Sequence, residues 1–419
     1  MLIWFATLGA IGLLWFVLVA LFSPGIKYRL RERVPTGTPE FVRTLSAIGQ
    51  STLHLGNRVE VLTDGPTFYP AMLDAIRGAQ HSINLECYIF QPGHIGDQFV
   101  DAMIERAEAG VTVSVVGDAI GSLWLFWSRA VRRMRKAGCR VHNYQALRWY
   151  SIARLNNRTH RELLIVDGRI AFMGGAGIAD WWGLAHKGRP HWRDTMIRIH
   201  GPIVASIQGA FVENWVESCG EILTGPAYFP QPYAAADTAA LVLKSSPADR
   251  ATISRIAFQA LIEGARTHLR INTPYFIPDR QMRRALTAAA RRGVVVEIVL
   301  PGPSTDQRWV RLASRRWFGH LLKCGVRLFE YRPSMMHAKV MIVDDAWSVL
   351  GTTNMDNRSF ELNDEVNLLM LDPFVSARLI EDFERDLARS DQITMETWER
   401  RPWWERVLDP IVWILERQQ

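Results

Sequence analysis

The chain has 419 residues, 48% of them apolar and 22% charged, which suits two ordinary domains or one large duplicated unit and excludes a disordered protein. A net charge of +7 favours anionic partners, whether phospholipid surfaces, nucleic acid or phosphate esters, without choosing among them. The four cysteines, Cys87, Cys139, Cys219 and Cys324, show no CxxC spacing and give no sign of a disulfide framework or a zinc site.

Residues 2–22, LIWFATLGAIGLLWFVLVALF, carry no charge and are long enough to cross a bilayer core of ~30 Å as a helix. Neither a basic n-region nor a small-x-small cleavage site is visible, so an anchor is preferred to a cleaved signal peptide. Lys27, Arg29, Arg31 and Arg33 follow at once, and the positive-inside rule then places the rest of the chain in the cytoplasm. Residues 1–23 are read as a single transmembrane anchor in the cell membrane and 24–50 as a basic juxtamembrane segment.

From there helical and strand patterns alternate. AMLDAIRGA is helical, HSINLECYIF a strand, FVDAMIERAEAG a helix stopping at Gly110, and VTVSVVGD a strand. The second half replays this order with IAFQALIEGA, LRINTPYFIPD, QMRRALTAAARRG and VVVEIVLPGP. Large repeats of this kind predict two similar lobes, at 51–223 and 241–392, joined by a Pro- and Ala-rich linker at 224–240. SLWLFWSRAVRRMRK at 122–136 mixes aromatics with a basic run and reads as a membrane-facing or substrate-entry element. In the tail, 393–419, Trp403, Trp404, Val407, Leu408, Ile411 and Leu415 fall at roughly helical spacing. That suits an interfacial amphipathic helix or, equally, a terminal helix docked on the core.

Each half reaches a histidine motif, THRELLIVDGRIAFMGG at 159–175 and MHAKVMIVDDAWSVLGT at 336–352. The apolar runs are short and end in Asp-Gly or Asp-Asp, a strand–turn–strand pattern. Side chains alternate along a strand, so His337 and Lys339 share one face, as do His160 and Glu162. Two such faces predict one site at the seam between lobes. Paired imidazoles and an ammonium suit phosphoryl transfer without a metal. One imidazole attacks phosphorus to form a phosphohistidine, the other serves as acid and then base, and cationic and amide donors hold the non-bridging oxygens.

His337, Lys339, Asp344, Gly351, Thr352 and Asn354 fit H-x-K-x4-D-x6-G-(S/T)-x-N, and the chain therefore resembles the phospholipase D superfamily. NMDNRSFELNDEVNL at 354–368, TPYFIPD at 273–279 and WRDTMIRIHGP at 192–202 look like the bacterial cardiolipin synthases within it. The resemblance covers about residues 50–390. It implies a duplicated α/β fold, each lobe a mixed sheet flanked by helices, with the active site at the lobe interface. It also implies transfer of a phosphatidyl group to phosphatidylglycerol, with no metal or other cofactor and no nucleic-acid partner. His160, His337, Lys339, Asp167 and Asp344 are the implied catalytic residues, with Asp194 orienting His160 and Glu365 orienting His337. Lys339, Thr352 and Asn354 are the implied phosphate ligands. The first copy departs from the pattern at Glu162, where Lys is expected, and at Gly177, where Asn is expected. Relatives commonly carry two membrane spans where one is read here.

A carboxylate facing a substrate phosphate is repelled by ~4 kcal/mol at 4 Å and an effective dielectric of 20. Arg158 or Arg193 is expected to answer that charge, since alternation puts Arg161 on the opposite face. A neighbouring carboxylate also favours a protonated histidine and a neighbouring ammonium a neutral one, which makes His160 the acid and His337 the nucleophile. The resemblance implies the opposite order. Two further readings share the scaffold. One is a phosphodiesterase that hydrolyses phospholipid or nucleic acid, and the other is a membrane protein that has lost turnover through Glu162 and Gly177.

Overall fold

Ser82–Cys87, the SINLEC run, is buried at every position, as a strand covered on both faces must be. It pairs in parallel with Thr112–Asp118, which pairs in parallel with Arg140–Tyr144. On its other side follow Leu163–Val166, Ile170–Gly174, Thr195–His200 and His54–Thr63, all antiparallel. The second half repeats this order around His268–Asn272. Val295–Pro301 and Arg327–Tyr331 lie parallel on one side, and Val340–Val343, Trp347–Gly351, Asn363–Leu371 and Thr238–Ser245 lie antiparallel on the other. Parallel neighbours need a crossover, which the helices His94–Glu108 and Arg280–Arg291 supply.

This computed structural model describes residues 29–145, 157–185, 188–247, 253–403 and 405, with scattered positions before residue 16. The expected anchor at 2–22 and the end of the tail beyond Glu405 lie largely outside the described residues. Among the described residues no helix is long and apolar enough to cross a membrane.

Three expectations are corrected. The two lobes do not keep separate sheets, because His54–Thr63 pairs with Thr238–Ser245 and merges them into one sheet of sixteen strands. The last residues assigned to the linker, Thr238–Ala240, already belong to that joining strand. The segment 24–50 is more than a juxtamembrane tether. Thr38 caps a helix, Pro39–Ile48, whose Phe41 and Leu45 enter the second-half core beside Leu241, Leu261 and Trp347. An apolar stripe of that kind is stabilised mainly by what it packs on.

Each half carries an outer core beneath its own helices. A third core is shared, with Leu163 and Ile197 from the first half meeting Met336, Ile342 and Val366 from the second. The helices Val204–Cys219 and Pro373–Ala388 fill this seam with Phe211, Trp215, Leu379 and Phe383. The histidine motifs open onto the same seam.

Candidate active site

The two halves exchange backbone bonds at the motifs. Arg158 and Thr159 pair in parallel with Asn363 and Asp364, and the His160 amide donates to Asp364 O at 2.9 Å. In mirror fashion Arg193 bridges to Met336, and the His337 amide donates to Arg193 O at 2.7 Å. Each histidine is thereby set beside the residue that follows its partner in the other half.

This register decides which carboxylate meets which imidazole. Asp194 Oδ2 lies 2.7 Å from His337 Nδ1, and Glu365 Oε1 lies 3.3 Å from His160 Nδ1. The pairing is the reverse of the expected one, in which Asp194 served His160 and Glu365 served His337. The physical reason is the bridge itself, because Asp194 follows Arg193 across from His337 and Glu365 follows Asp364 across from His160. Each orienting carboxylate acts between the halves, so neither half is complete alone.

Both pairs are held from behind. Asp194 Oδ2 also accepts from Trp182 Nε1 at 3.1 Å, and Oδ1 accepts from the Thr195 amide at 2.8 Å. Glu365 accepts from the Thr352 hydroxyl and from Asn363 Nδ2. The His337 ring is enclosed by Trp182, Trp192 and Tyr275, whereas His160 packs on Tyr88 at 5.1 Å between centroids. Tyr275 and Trp192 lie in the quoted runs TPYFIPD and WRDTMIRIHGP, whereas Tyr88, Trp182 and the Trp182 hydrogen bond escape a reading of the motifs; the run ADWWG before Asp194 is the signal that points to Trp182.

Lys339 Nζ donates to the His337 carbonyl at 2.8 Å and lies 3.2 Å from its Nε2. Burial pushes the pKa of Lys339 down, against the attraction of Asp194, Glu365 and Glu162. Carboxyl groups from both halves therefore surround one ammonium. Burial, and then Lys339, also lower the pKa of His337 and favour its neutral form.

Glu162 is not the exposed negative charge that the sequence implies. It is buried, its Oε1 accepts from the amides of Tyr88 at 3.1 Å and Ile89 at 3.5 Å, and burial raises its pKa well above the carboxylate range. Burial thus shifts the carboxyl toward its neutral form and weakens its repulsion of a substrate phosphate. The expected arginine partners go elsewhere: Arg158 faces Asp118, while Arg193 pairs with Asp386 and Asp64. Arg161 does lie on the opposite face, where it meets Glu213. Gly177 adjoins Glu162, since a Cβ there would stand 2.5 Å from Ile89 O and 3.2 Å from Glu162 Oε1. The two departures from the motif are thus one local arrangement.

Asp167 and Asp344 are placed away from this site. Four strand residues separate each from its motif, about 13 Å of extended chain. Both occupy left-handed turn positions, φ +53° and +52°. Asp167 accepts from the amides of Gln80, His81 and Ser82, and Asp344 from those of Arg266 and Thr267 and from Thr36 Oγ1. They tie the hairpins to the central strands, and a catalytic role does not fit. Asp167→Ala should lower unfolding free energy by about 2 kcal/mol, because its carboxylate's bonds to three backbone amides, two of them exposed, are lost at a strained turn. Its kcat/KM per folded molecule should stay within about twofold of wild type, since the turn lies outside hydrogen-bond reach of the reacting groups. Denaturant unfolding and lipid-transfer assays on the same preparation check both.

The phosphate-binding set also changes. Thr352 faces His160 through its carbonyl at 3.3 Å, and its hydroxyl is committed to Glu365. Asn354 donates from Nδ2 to Ser359 at 3.2 Å, and its Oδ1 is buried without a hydrogen-bond partner among the described residues. Lys339 is the charged donor in the group.

Comparison with known proteins agrees with this geometry. The family profile described as "Cardiolipin synthase, PLD-like domain" matches residues 72–209 and 258–387, one stretch in each half. The cardiolipin synthase of Alkalihalophilus pseudofirmus is 32% identical over 88% of this chain and 73% of its own length. That of Geobacillus sp. (strain WCH70) is 32% identical over 92% and 77%. Among solved structures, phosphatidylserine synthase from Haemophilus influenzae Rd KW20 superposes with a TM-score of 0.69 at 14% identity, covering 91% of this chain and all of that one. The duplicated sheet, the two histidine–carboxylate pairs exchanged between halves and the matched profile place this chain in the cardiolipin synthase family of phospholipase D-like proteins.

Proposed function

We propose that this chain is a membrane-bound phosphatidyltransferase that joins two phosphatidylglycerol molecules into cardiolipin, releasing glycerol. The observation that carries the reading is the crossed arrangement of His337–Asp194 and His160–Glu365 around Lys339. In this reading His337 is the nucleophile. Asp194 accepts a hydrogen bond from its Nδ1–H, which stays on the ring, and the Nε2 lone pair attacks phosphorus of the donor lipid. The bond from phosphorus to the glycerol oxygen breaks, and protonated His160 gives its proton to that oxygen. Neutral His160 then takes the proton from a hydroxyl of the second phosphatidylglycerol. That oxygen attacks phosphorus, the phosphorus–nitrogen bond breaks, and His337 is restored. Lys339 and the Asn354 amide offer donors to the non-bridging oxygens through both steps. Residues 2–22 serve as the anchor, with the catalytic part on the cytoplasmic side.

Expression in a cardiolipin-deficient host, followed by lipid analysis, tests the proposal. Cardiolipin together with released glycerol supports it. Phosphatidate as the main product would instead assign water as the acceptor, and no turnover at all would favour the impaired scaffold.

Trp182 offers a finer test. Trp182→Phe keeps an aromatic ring against His337 but removes the hydrogen bond to Asp194. The expected result is about a tenfold lower kcat with little change in KM, the size of one lost hydrogen bond to a charged group. Steady-state kinetics on phosphatidylglycerol check it.

A further inference from the structure

The segment after Thr112–Asp118 is fastened to the wall of the active site. Asp118 Oδ1 accepts from the amides of Ile120 and Gly121, and its Oδ2 accepts from the amide of Thr159, next to His160. The Ser122 hydroxyl donates to Tyr88 O and accepts from the Phe90 amide. A Cβ on Gly121 would fall 2.3 Å from Tyr88 O and 2.8 Å from its ring, and that ring packs on His160. From this fixed base the chain enters the short helix Leu123–Trp127. Leu125 points inward, and the side chain of Phe126 reaches back over Gly117.

What faces outward is unusual for a solvated surface. Trp124 is 66% and Trp127 79% exposed, and Ile120 is also exposed. Ser128 caps the next helix, Arg129–Lys136, which buries Val131 and Met134. Arg129, Arg132 and Lys136 follow at spacings of three and four and share its outer face. Arg133 beside them pairs with Asp101. Among the described residues no carboxylate pairs with Arg129, Arg132 or Lys136, and the three line an open recess with Arg133. Tryptophans at headgroup depth above a row of cations match the interface of a bilayer that carries anionic lipid.

We propose that residues 120–136 form a membrane-seating platform. Ile120, Trp124 and Trp127 enter the lipid interface, while Arg129, Arg132 and Lys136 meet anionic headgroups. Because the platform is bonded to Tyr88 directly and to Thr159 through Asp118, seating it brings the His160 side of the active site to the bilayer surface. The purpose of the platform rests on the phosphatidyltransferase reading, but its existence does not.

The test uses the full chain reconstituted into vesicles, with Cys219 and Cys324 replaced by Ser and Trp127→Cys carrying an environment-sensitive fluorophore. Vesicles are phosphatidylcholine alone or equal parts phosphatidylcholine and phosphatidylglycerol, with brominated acyl chains as quencher. Quenching in the anionic vesicles, weaker in phosphatidylcholine, is the expected result. Arg129→Gln, Arg132→Gln and Lys136→Gln together should lower the ratio of docked to undocked platform on the order of a hundredfold, at roughly fivefold per cation. The melting temperature should be unchanged, and transfer on short-chain lipid dispersed in detergent should match that of the parent.

No quenching in anionic vesicles, or quenching indifferent to both lipid charge and the three substitutions, would overturn the platform. A label shielded without lipid as protein concentration rises would assign the patch to a second copy of the chain and overturn it too. Quenching by a protein that makes no cardiolipin in any format would leave the platform standing and remove the transferase reading.

Discussion

Substituting His337 by Gln is expected to lower phosphatidyl transfer on the order of 10⁵-fold and to abolish any covalent lipid–enzyme intermediate, as loss of a nucleophile does in related two-step mechanisms. His160→Gln should behave differently. With phosphatidylglycerol it should lose about 10³–10⁴-fold, the range of a missing general acid. With a p-nitrophenyl leaving group, which needs no proton, the first step should recover and the phosphatidyl-enzyme should accumulate for lack of a base. Mass spectrometry of the trapped protein then locates the phosphorus. A modified peptide containing His160 would reverse the assignment.

The physical ground for choosing His337 lies in its surroundings. It is the more buried imidazole, burial and Lys339 favour its neutral form, and Asp194 at 2.7 Å holds Nδ1 so that Nε2 presents its lone pair. A lowered pKa means that the neutral form persists to lower pH, so the acid limb of kcat/KM should fall below the ordinary histidine value of about 6.5. The sequence argument for the same choice relied on two neighbours, Glu162 beside His160 and Lys339 beside His337. Burial weakens the first by shifting Glu162 toward its neutral form, while the second holds, with Lys339 Nζ 3.2 Å from His337 Nε2.

The second large effect is expected at Glu162. Glu162→Gln should retain transfer within about threefold, because an amide has the size of a neutral carboxyl and its oxygen still accepts from Tyr88 and Ile89. Glu162→Lys, although it restores the motif, should destabilise the fold by about 3–5 kcal/mol, since it buries an uncompensated ammonium close to Lys339. Transfer by the folded fraction should fall at least about a hundredfold, with two backbone amides left unpaired at the site wall. Gly177→Asn alone should also fail, because its Cβ would stand 2.5 Å from a backbone carbonyl. If Glu162 and Gly177 act as one unit, the Glu162→Lys/Gly177→Asn double variant should outperform the sum of the singles. Denaturant unfolding and kcat/KM for the four proteins settle this. A sharp rise in turnover for Glu162→Lys would show that the neutral-carboxyl account is wrong.

By itself the amino-acid sequence determined the duplication, the order of helices and strands in each half, and the identity of His160, His337 and Lys339. These are carried by local patterns: apolar periodicity, turn residues and a motif written over the 18 consecutive positions from His337 to Asn354. It also exposed the mismatch at Glu162 and Gly177, though not its meaning. Only the tertiary structure decided which carboxylate serves which histidine, because Asp194 and His337 are 143 residues apart and meet through a bridge between halves that no local pattern encodes. Burial, likewise a property of the assembled fold, pushed Glu162 toward its neutral form and set it against Gly177. The length of a four-residue strand carried Asp167 and Asp344 away from the site their motif seemed to share, and gave them turns to hold instead.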